Sequence, residues 1–232
     1  MDNFLKRKQA DDGEGGSSSS SSSSSSSKVQ KKAEPVTCIV CPGAGGVLAK
    51  KMEEKILDVL SAKHSFSFRK LNGIHWNTSK AGNASNVALV TAQFPPEGDF
   101  WIWGNSFGNR LVCEMVGSNQ LPPRCKGIII CGFPLYGEQN NQDRVRQLQM
   151  LAPNKVKSLL ISGTDDEFLN RGFLSSKGAD LIREQHALLG TSSSLVILDG
   201  GKHTIPECKG GKAAIENACS RVIKEIVAFC AV

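Results

Sequence analysis

Five short apolar runs, each followed by a turn of small or polar residues, restrict this sequence to very few folds. They are Val36–Cys41, Phe100–Trp103, Lys126–Gly132, Val156–Ser162 and Ser194–Leu198. Each is too short for a typical helix, and none shows the polar alternation of a strand with one wet face. The first three therefore read as strands buried on both sides, and the last two as further strands of the same sheet. Helical patterns fill the gaps. Leu48, Met52, Ile56 and Leu60 recur every four residues, which predicts an amphipathic helix. Ser85–Phe94, Gln142–Leu151 and Phe168–Leu189, the last with a break near Gly178, predict three more. The closing segment places Ile215, Cys219, Val222, Ile223, Ile226 and Cys230 on one helical face. Ser65–Arg69 alternates and reads as a short edge strand. Strand and helix alternate throughout, and that order predicts an α/β domain: about six mostly parallel strands with helices on both faces.

The chain has 232 residues, enough for one such domain with a sizeable core. Residues 1–35 are expected to stand outside it as a disordered Ser-rich leader. They hold charged residues, a glycine cluster at Gly13–Gly16, eleven consecutive serines from Ser17 to Ser27, and then Lys, Gln, Glu and Pro35. Such a segment has too little apolar surface to offset the entropy of ordering it. The domain is thus expected over residues 36–232. Lys6-Arg7-Lys8 is short for a nuclear-import signal and reads more simply as part of a solvated tail.

Composition removes several function classes. The net charge of +6 is modest and forms no basic stripe, so nucleic-acid binding is not expected. No 18-residue apolar run exists to span a membrane, and the first residues lack the apolar core of a signal peptide. Most of the eight cysteines lie within apolar segments, as buried free thiols of a reducing compartment do. Cys38 and Cys41 form a CxxC pair, but on a strand residues three apart face opposite ways and make a poor metal or disulfide pair. No cofactor or metal is expected.

The chemistry centres on Phe100-Trp101-Ile102-Trp103-Gly104-Asn105-Ser106-Phe107-Gly108-Asn109-Arg110. A buried strand runs into Gly-x-Ser-x-Gly, and a helical pattern follows at Phe107, Leu111, Val112 and Met115. That is the layout of a nucleophile elbow, in which small flanking residues let two backbones approach. In a chain this rich in Gly and Ser, roughly 0.2 matches to the five-residue pattern arise by chance, so the surroundings must support it. Otherwise Ser106 would merely cap a helix.

The surroundings do supply partners. In a parallel sheet the loops leaving the strands' C-terminal ends line the ligand crevice. Ser106 follows one strand, Asp165 and Asp166 follow another, and His203 follows the last. A serine hydroxyl is a poor nucleophile until an imidazole takes its proton, and a carboxylate fixes the imidazole's tautomer. Asp166 is the preferred acid because it lies deeper in the turn beyond Gly163, and Asp165 remains the alternative. His64 and His75 sit in earlier connections, and His186 lies within a helix. Pro42-Gly43-Ala44-Gly45-Gly46 follows the first strand, where the N–H of Ala44, with that of Phe107, would form an oxyanion hole. A dinucleotide reading of the same turn fails, because Leu48 stands where a third glycine belongs and the next strand ends in Arg69.

Together, Pro42-Gly-Ala-Gly-Gly46, Gly104-Asn-Ser-Phe-Gly108, Gly127-Ile-Ile-Ile-Cys-Gly-Phe-Pro-Leu-Tyr136, Leu160-Ile-Ser-Gly-Thr-Asp-Asp-Glu167 and His203 carry a resemblance. They resemble the α/β-hydrolase-like domain shared by testis-expressed protein thirty and the third regulatory subunit of the NSL histone acetyltransferase complex. More broadly they resemble dienelactone-hydrolase-type enzymes. The likeness covers roughly residues 36–230 and implies an α/β-hydrolase fold with Ser106, Asp166 and His203 at the triad positions. The usual two leading antiparallel strands are expected to be missing. Leu71–Lys80 is the expected lid or specificity loop, and no long cap insertion is present for a deep lipid tunnel.

The resulting expectation is a cytoplasmic or nuclear serine hydrolase acting on small-molecule esters or thioesters through an acyl-enzyme. The alternative is a non-catalytic protein of the same fold whose partners are other proteins, such as a subunit of a nuclear complex.

Overall fold

The computed structural model describes residues 34–44, 48, 50–74, 84–136, 144–152, 156–169, 178–203, 205 and 207–231. Expectations for the leader up to Ala33, for Gly45 and Gly46, for His75 to Lys80, for the start of the Gln142 helix and for residues 170–177 lie outside these residues. Within them a single sheet contains β1 (Val36–Cys41), β2 (Phe66–Lys70), β3 (Phe100–Asn105), β4 (Cys125–Cys131), β5 (Ser158–Gly163) and β6 (Ser193–Leu198). Its order is β2-β1-β3-β4-β5-β6, and every pairing is parallel. The α/β fold expected from the alternating pattern is therefore the one observed. No described strand precedes β1, so β2 forms one edge of the sheet.

Period-two alternation divides the core between the two faces. Ile39, Cys41, Phe100, Ile102, Ile128, Ile130 and Leu160 point to one side. Cys38, Val40, Trp101, Trp103, Ile129, Cys131, Leu159 and Ile161 point to the other. Each fully buried Ile or Leu among them contributes about 1.5–3 kcal/mol relative to exposure. The first face is covered by α3 (Ala84–Thr91), α4 (Phe107–Gly117), α5 (Val145–Gln149) and α6 (Gly178–Leu189). The second is covered by α1 (Lys50–Met52), α2 (Asp58–His64) and α7 (Gly211–Cys230). Cys38 and Cys41 lie on opposite faces, and all eight cysteines are free.

A π-helical turn, Glu53–Leu57, joins α1 to α2. The wider π turn suits the sequence, because a strict four-residue repeat drifts around an ordinary 3.6-residue helix. Leu48, Met52, Ile56 and Leu60 are all buried on the same side. The helix expected from Phe168 begins at Gly178 among the described residues, and Phe168 and Leu169 lie in a turn instead. The Asp166 carboxylate accepts the Phe168 N–H at 2.8 Å, and its carbonyl accepts the Leu169 N–H at 3.1 Å.

Candidate active site

Ser106 lies between the end of β3 and the start of α4 with φ 49° and ψ −111°. A non-glycine residue at positive φ, away from the left-handed helical well, carries strain of about 1–3 kcal/mol and persists only where neighbours hold it. Gly108 supplies part of the hold. A Cβ there would stand 2.1 Å from the Cys41 carbonyl oxygen, so only glycine lets α4 press this closely on the end of β1. The Ser106 N–H donates to the Cys131 carbonyl at 3.3 Å, and the Asn109 N–H closes the turn onto the Ser106 carbonyl at 3.1 Å. The loop after β1 lies against the serine: a Cβ on Gly43 would be 3.3 Å from the Ser106 Cβ. Ala44 follows in an exposed turn, and Phe107 is the buried first residue of α4.

Two neighbouring loops, leaving β5 and β6, carry the other groups. Asp166 is fully buried, and its Oδ2 lies 2.9 Å from Nδ1 of His203. Its other oxygen is occupied by the Phe168 N–H, so the carboxylate cannot swing away without losing two bonds. The Phe168 ring packs on the imidazole with centroids 4.3 Å apart. An ionised Asp166 accepts the Nδ1 proton and leaves the lone pair on Nε2. Nε2 is buried and makes no hydrogen bond among the described residues. The hydrogen bond expected between Ser106 and His203 is therefore not made in this state. Catalytic contacts of this kind are often long before substrate binds and shorten in the complex.

Asp165 faces away from the imidazole. Its carboxylate pairs with Lys209, which holds it below the usual carboxylate range and raises the lysine in return. Its N–H donates to the Gly201 carbonyl at 2.8 Å, one rung of a backbone ladder that includes Thr164 N–H to Leu198 carbonyl at 3.0 Å. Gly200 N–H adds a bond to the Thr164 hydroxyl at 2.8 Å. At Gly163 the two loops touch so closely that a Cβ would fall 2.0 Å from the Gly201 carbonyl oxygen. This ladder fixes which of the two adjacent aspartates turns inward.

Two residues that the sequence reading did not single out stand beside these groups. Phe168 looked like the first turn of a helix, although an apolar residue directly after an acidic turn is itself a hint. Asn109 is fully buried and sends its side-chain amide to the Cys131 carbonyl at 2.7 Å and the Gly132 carbonyl at 3.2 Å. Its one signal in the sequence is a polar residue three positions after the elbow serine. The buried thiols of Cys41, Cys113 and Cys131 are pushed well above their ordinary range by burial and are poor nucleophiles.

Residues 83–231 match the sequence model of an alpha/beta hydrolase domain, which spans more than half of the chain. Curated protein sequences contain no match. Among solved structures, the chain is similar to the esterase domain of a Rhodothermus marinus protein, at 12% identity and TM-score 0.55, covering 87% of this chain and 90% of that one. It is similar to the Paleococcus ferrophilus monoacylglycerol lipase at 13% identity and TM-score 0.57, covering 84% and 96%. It is also similar to a thioesterase domain from the curacin biosynthetic pathway at 14% identity and TM-score 0.52, covering 84% and 91%. At such identities these likenesses speak for the shared fold.

Proposed function

Because the chain belongs to the alpha/beta hydrolase domain family, we propose that it is a serine hydrolase cleaving small esters or thioesters through an acyl-enzyme on Ser106. The observation that carries this reading is the buried Asp166–His203 pair, which rests against Gly132 at the exit of β4, where the strained elbow of Ser106 is also bonded through Cys131. In the first step His203 Nε2 takes the Ser106 hydroxyl proton as Oγ bonds to the substrate carbonyl carbon. The oxyanion is received by the N–H groups of Ala44 and Phe107. Asp166 stays ionised and stabilises the imidazolium. Collapse breaks the bond to the alcohol or thiol, which leaves with the proton from His203. Water then repeats the sequence on the acyl-serine, releasing the acid and restoring Ser106.

Within the family, the motifs from Pro42 to Gly46, around Ser106, from Gly127 to Tyr136 and from Leu160 to Glu167 support the branch of testis-expressed protein thirty and the NSL complex subunit. Its setting on this reading is the cytoplasm or nucleus. Among the described residues no helix is long and apolar enough to cross a membrane. One observation favours a second reading, a non-catalytic partner-binding protein on the same fold: the serine and histidine are not hydrogen-bonded.

Fluorophosphonate labelling of the intact chain separates the two. The hydrolase reading expects a covalent adduct on Ser106 that disappears in Ser106→Ala. A folded wild-type chain that takes up no probe would overturn it in favour of the second.

A further inference from the structure

We propose that Asn109 is a positioning residue that sets the spacing between Ser106 and His203, an inference that rests on reading Ser106 as the nucleophile. Five contacts carry it. The Asn109 Nδ2 group donates to the Cys131 carbonyl at 2.7 Å, while the Ser106 N–H reaches that same oxygen at a longer 3.3 Å. The shorter bond, which anchors the elbow to the end of β4, is therefore the side chain's. A second Nδ2 bond, at 3.2 Å, goes to the carbonyl of Gly132. Gly132 is pinned from behind by its own N–H, which donates to the Ile161 carbonyl at 2.9 Å. In front it abuts the histidine: a Cβ at this glycine would lie 2.6 Å from the His203 carbonyl oxygen and 3.3 Å from Nδ1. One amide thus grips the elbow and the surface on which the imidazole rests.

The amide's other end argues that it serves more than packing. Asn109 Oδ1 is buried with no hydrogen-bond partner, pressed toward Gly104, where a Cβ would be 2.4 Å away. Since both neighbours of Nδ2 are carbonyls, the NH2 end must face them, and the orphaned oxygen follows from that choice. A core position chosen for stability alone gains nothing from a half-satisfied amide. A position that must restrain a residue at φ 49° does gain from two donors aimed at one turn.

The test uses the full chain with Asn109→Ala and Asn109→Asp. It measures fluorophosphonate labelling rate, kcat and KM on p-nitrophenyl acetate, and the folded fraction by calorimetry. Asn109→Ala is expected to lower both labelling rate and kcat by about tenfold to a hundredfold, with KM unchanged and the protein folded, as displacement of a reacting atom does. In Asn109→Asp, the carboxylate offers the two carbonyls no donor, and its buried protonated form restores one. The ratio of its kcat to the wild type's should therefore rise as pH falls from 8 to 6. The proposal is overturned if both variants keep wild-type kcat, or if kcat falls only in proportion to the folded fraction with a flat ratio. A labelled wild type with unaffected variants sinks this inference alone; an unlabelled wild type sinks it together with the hydrolase reading.

Discussion

The elbow that carries Ser106 and the loop pair that carries Asp166 and His203 both lie against the exit of β4 but are held in opposite ways. At the elbow a single strained residue is restrained by buried contacts: the Gly108 approach to Cys41, the Cys131 carbonyl and the Asn109 amide. These contacts are made by buried residues. The loop pair is held redundantly. Backbone bonds link Thr164 to Leu198 and Asp165 to Gly201, a bridge pairs Gly201 with Cys208, and exposed ion pairs join Asp165 to Lys209 and Lys51 to Glu207. A strained turn needs every restraint it has, whereas a ladder can lose a rung. Substitutions at the elbow should therefore cost more than chemically similar ones in the loops, except where the loop residue touches the imidazole itself.

That exception gives the largest effect and fixes the boundary of the comparison. Asp166→Asn should lower kcat by about 10⁴-fold with the fold retained, because an amide no longer holds the imidazole tautomer. Asp165→Asn, one residue away, should stay within a few-fold of wild type, since its carboxylate faces Lys209. Steady-state kinetics on p-nitrophenyl acetate decide the matter. Equal losses, or the reverse order, would mean that Asp166 is not the acid.

The next effect compares the regions directly. Gly108→Ala and Gly163→Ala both drive a methyl group into backbone, 2.1 Å from the Cys41 oxygen and 2.0 Å from the Gly201 oxygen. The initial collisions are almost equal, but the ways to relieve them differ. Gly108 presses the first turn of α4 onto the end of β1, both in the core, while the Gly201 loop can shift at its surface side. Overpacking usually costs about 1–3 kcal/mol. Gly108→Ala is expected at or above the top of that range and Gly163→Ala near the bottom. A chain of this length loses roughly 2–4 °C in Tm per kcal/mol, so calorimetry resolves the difference. Equal drops would break the contrast between a tight elbow and a forgiving ladder.

The two regions also differ in how legible they were. The four inner strands could be read almost residue by residue, because a strand buried on both faces has few polar positions to blur its ends. The elbow was legible for the same reason: Phe100 to Trp103 leads directly into the serine. Asp165 and Asp166 are chemically alike and adjacent, and what separates them is a bond from the Asp165 N–H to Gly201, 36 residues onward. The helix expected from Phe168 is seen over Gly178–Leu189, while Phe168 and Leu169 form a turn closed on Asp166 that apolar periodicity does not reveal. Asn109 passed unnoticed because its acceptors, Cys131 and Gly132, lie on a different strand's exit. The missing Ser106–His203 bond has the same root, since sequence supplies residue types but not a separation set by three loops.

The smallest effect concerns the outermost rung of the ladder. Lys209→Met removes the pair with Asp165 but leaves the backbone bonds of both loops. The pair lowers the Asp165 carboxyl and raises Lys209, and the signs follow from this. The aspartate's contribution is present above its ordinary range, near 3.9, and fades as pH falls through its depressed folded value. The lysine's contribution is complete below its ordinary value, near 10.4, and fades as pH rises through its raised folded value. Between those limits the wild type should melt above Lys209→Met by about a degree or two at most, since exposed pairs are screened and Lys209 is largely in water. Added salt should narrow the gap, and strong acid should close it. Activity should remain near wild type throughout, because the His203 loop keeps its ladder. A loss of turnover in Lys209→Met comparable to that of Asn109→Ala would show that the loop pair has no redundancy, and that both regions depend on every restraint.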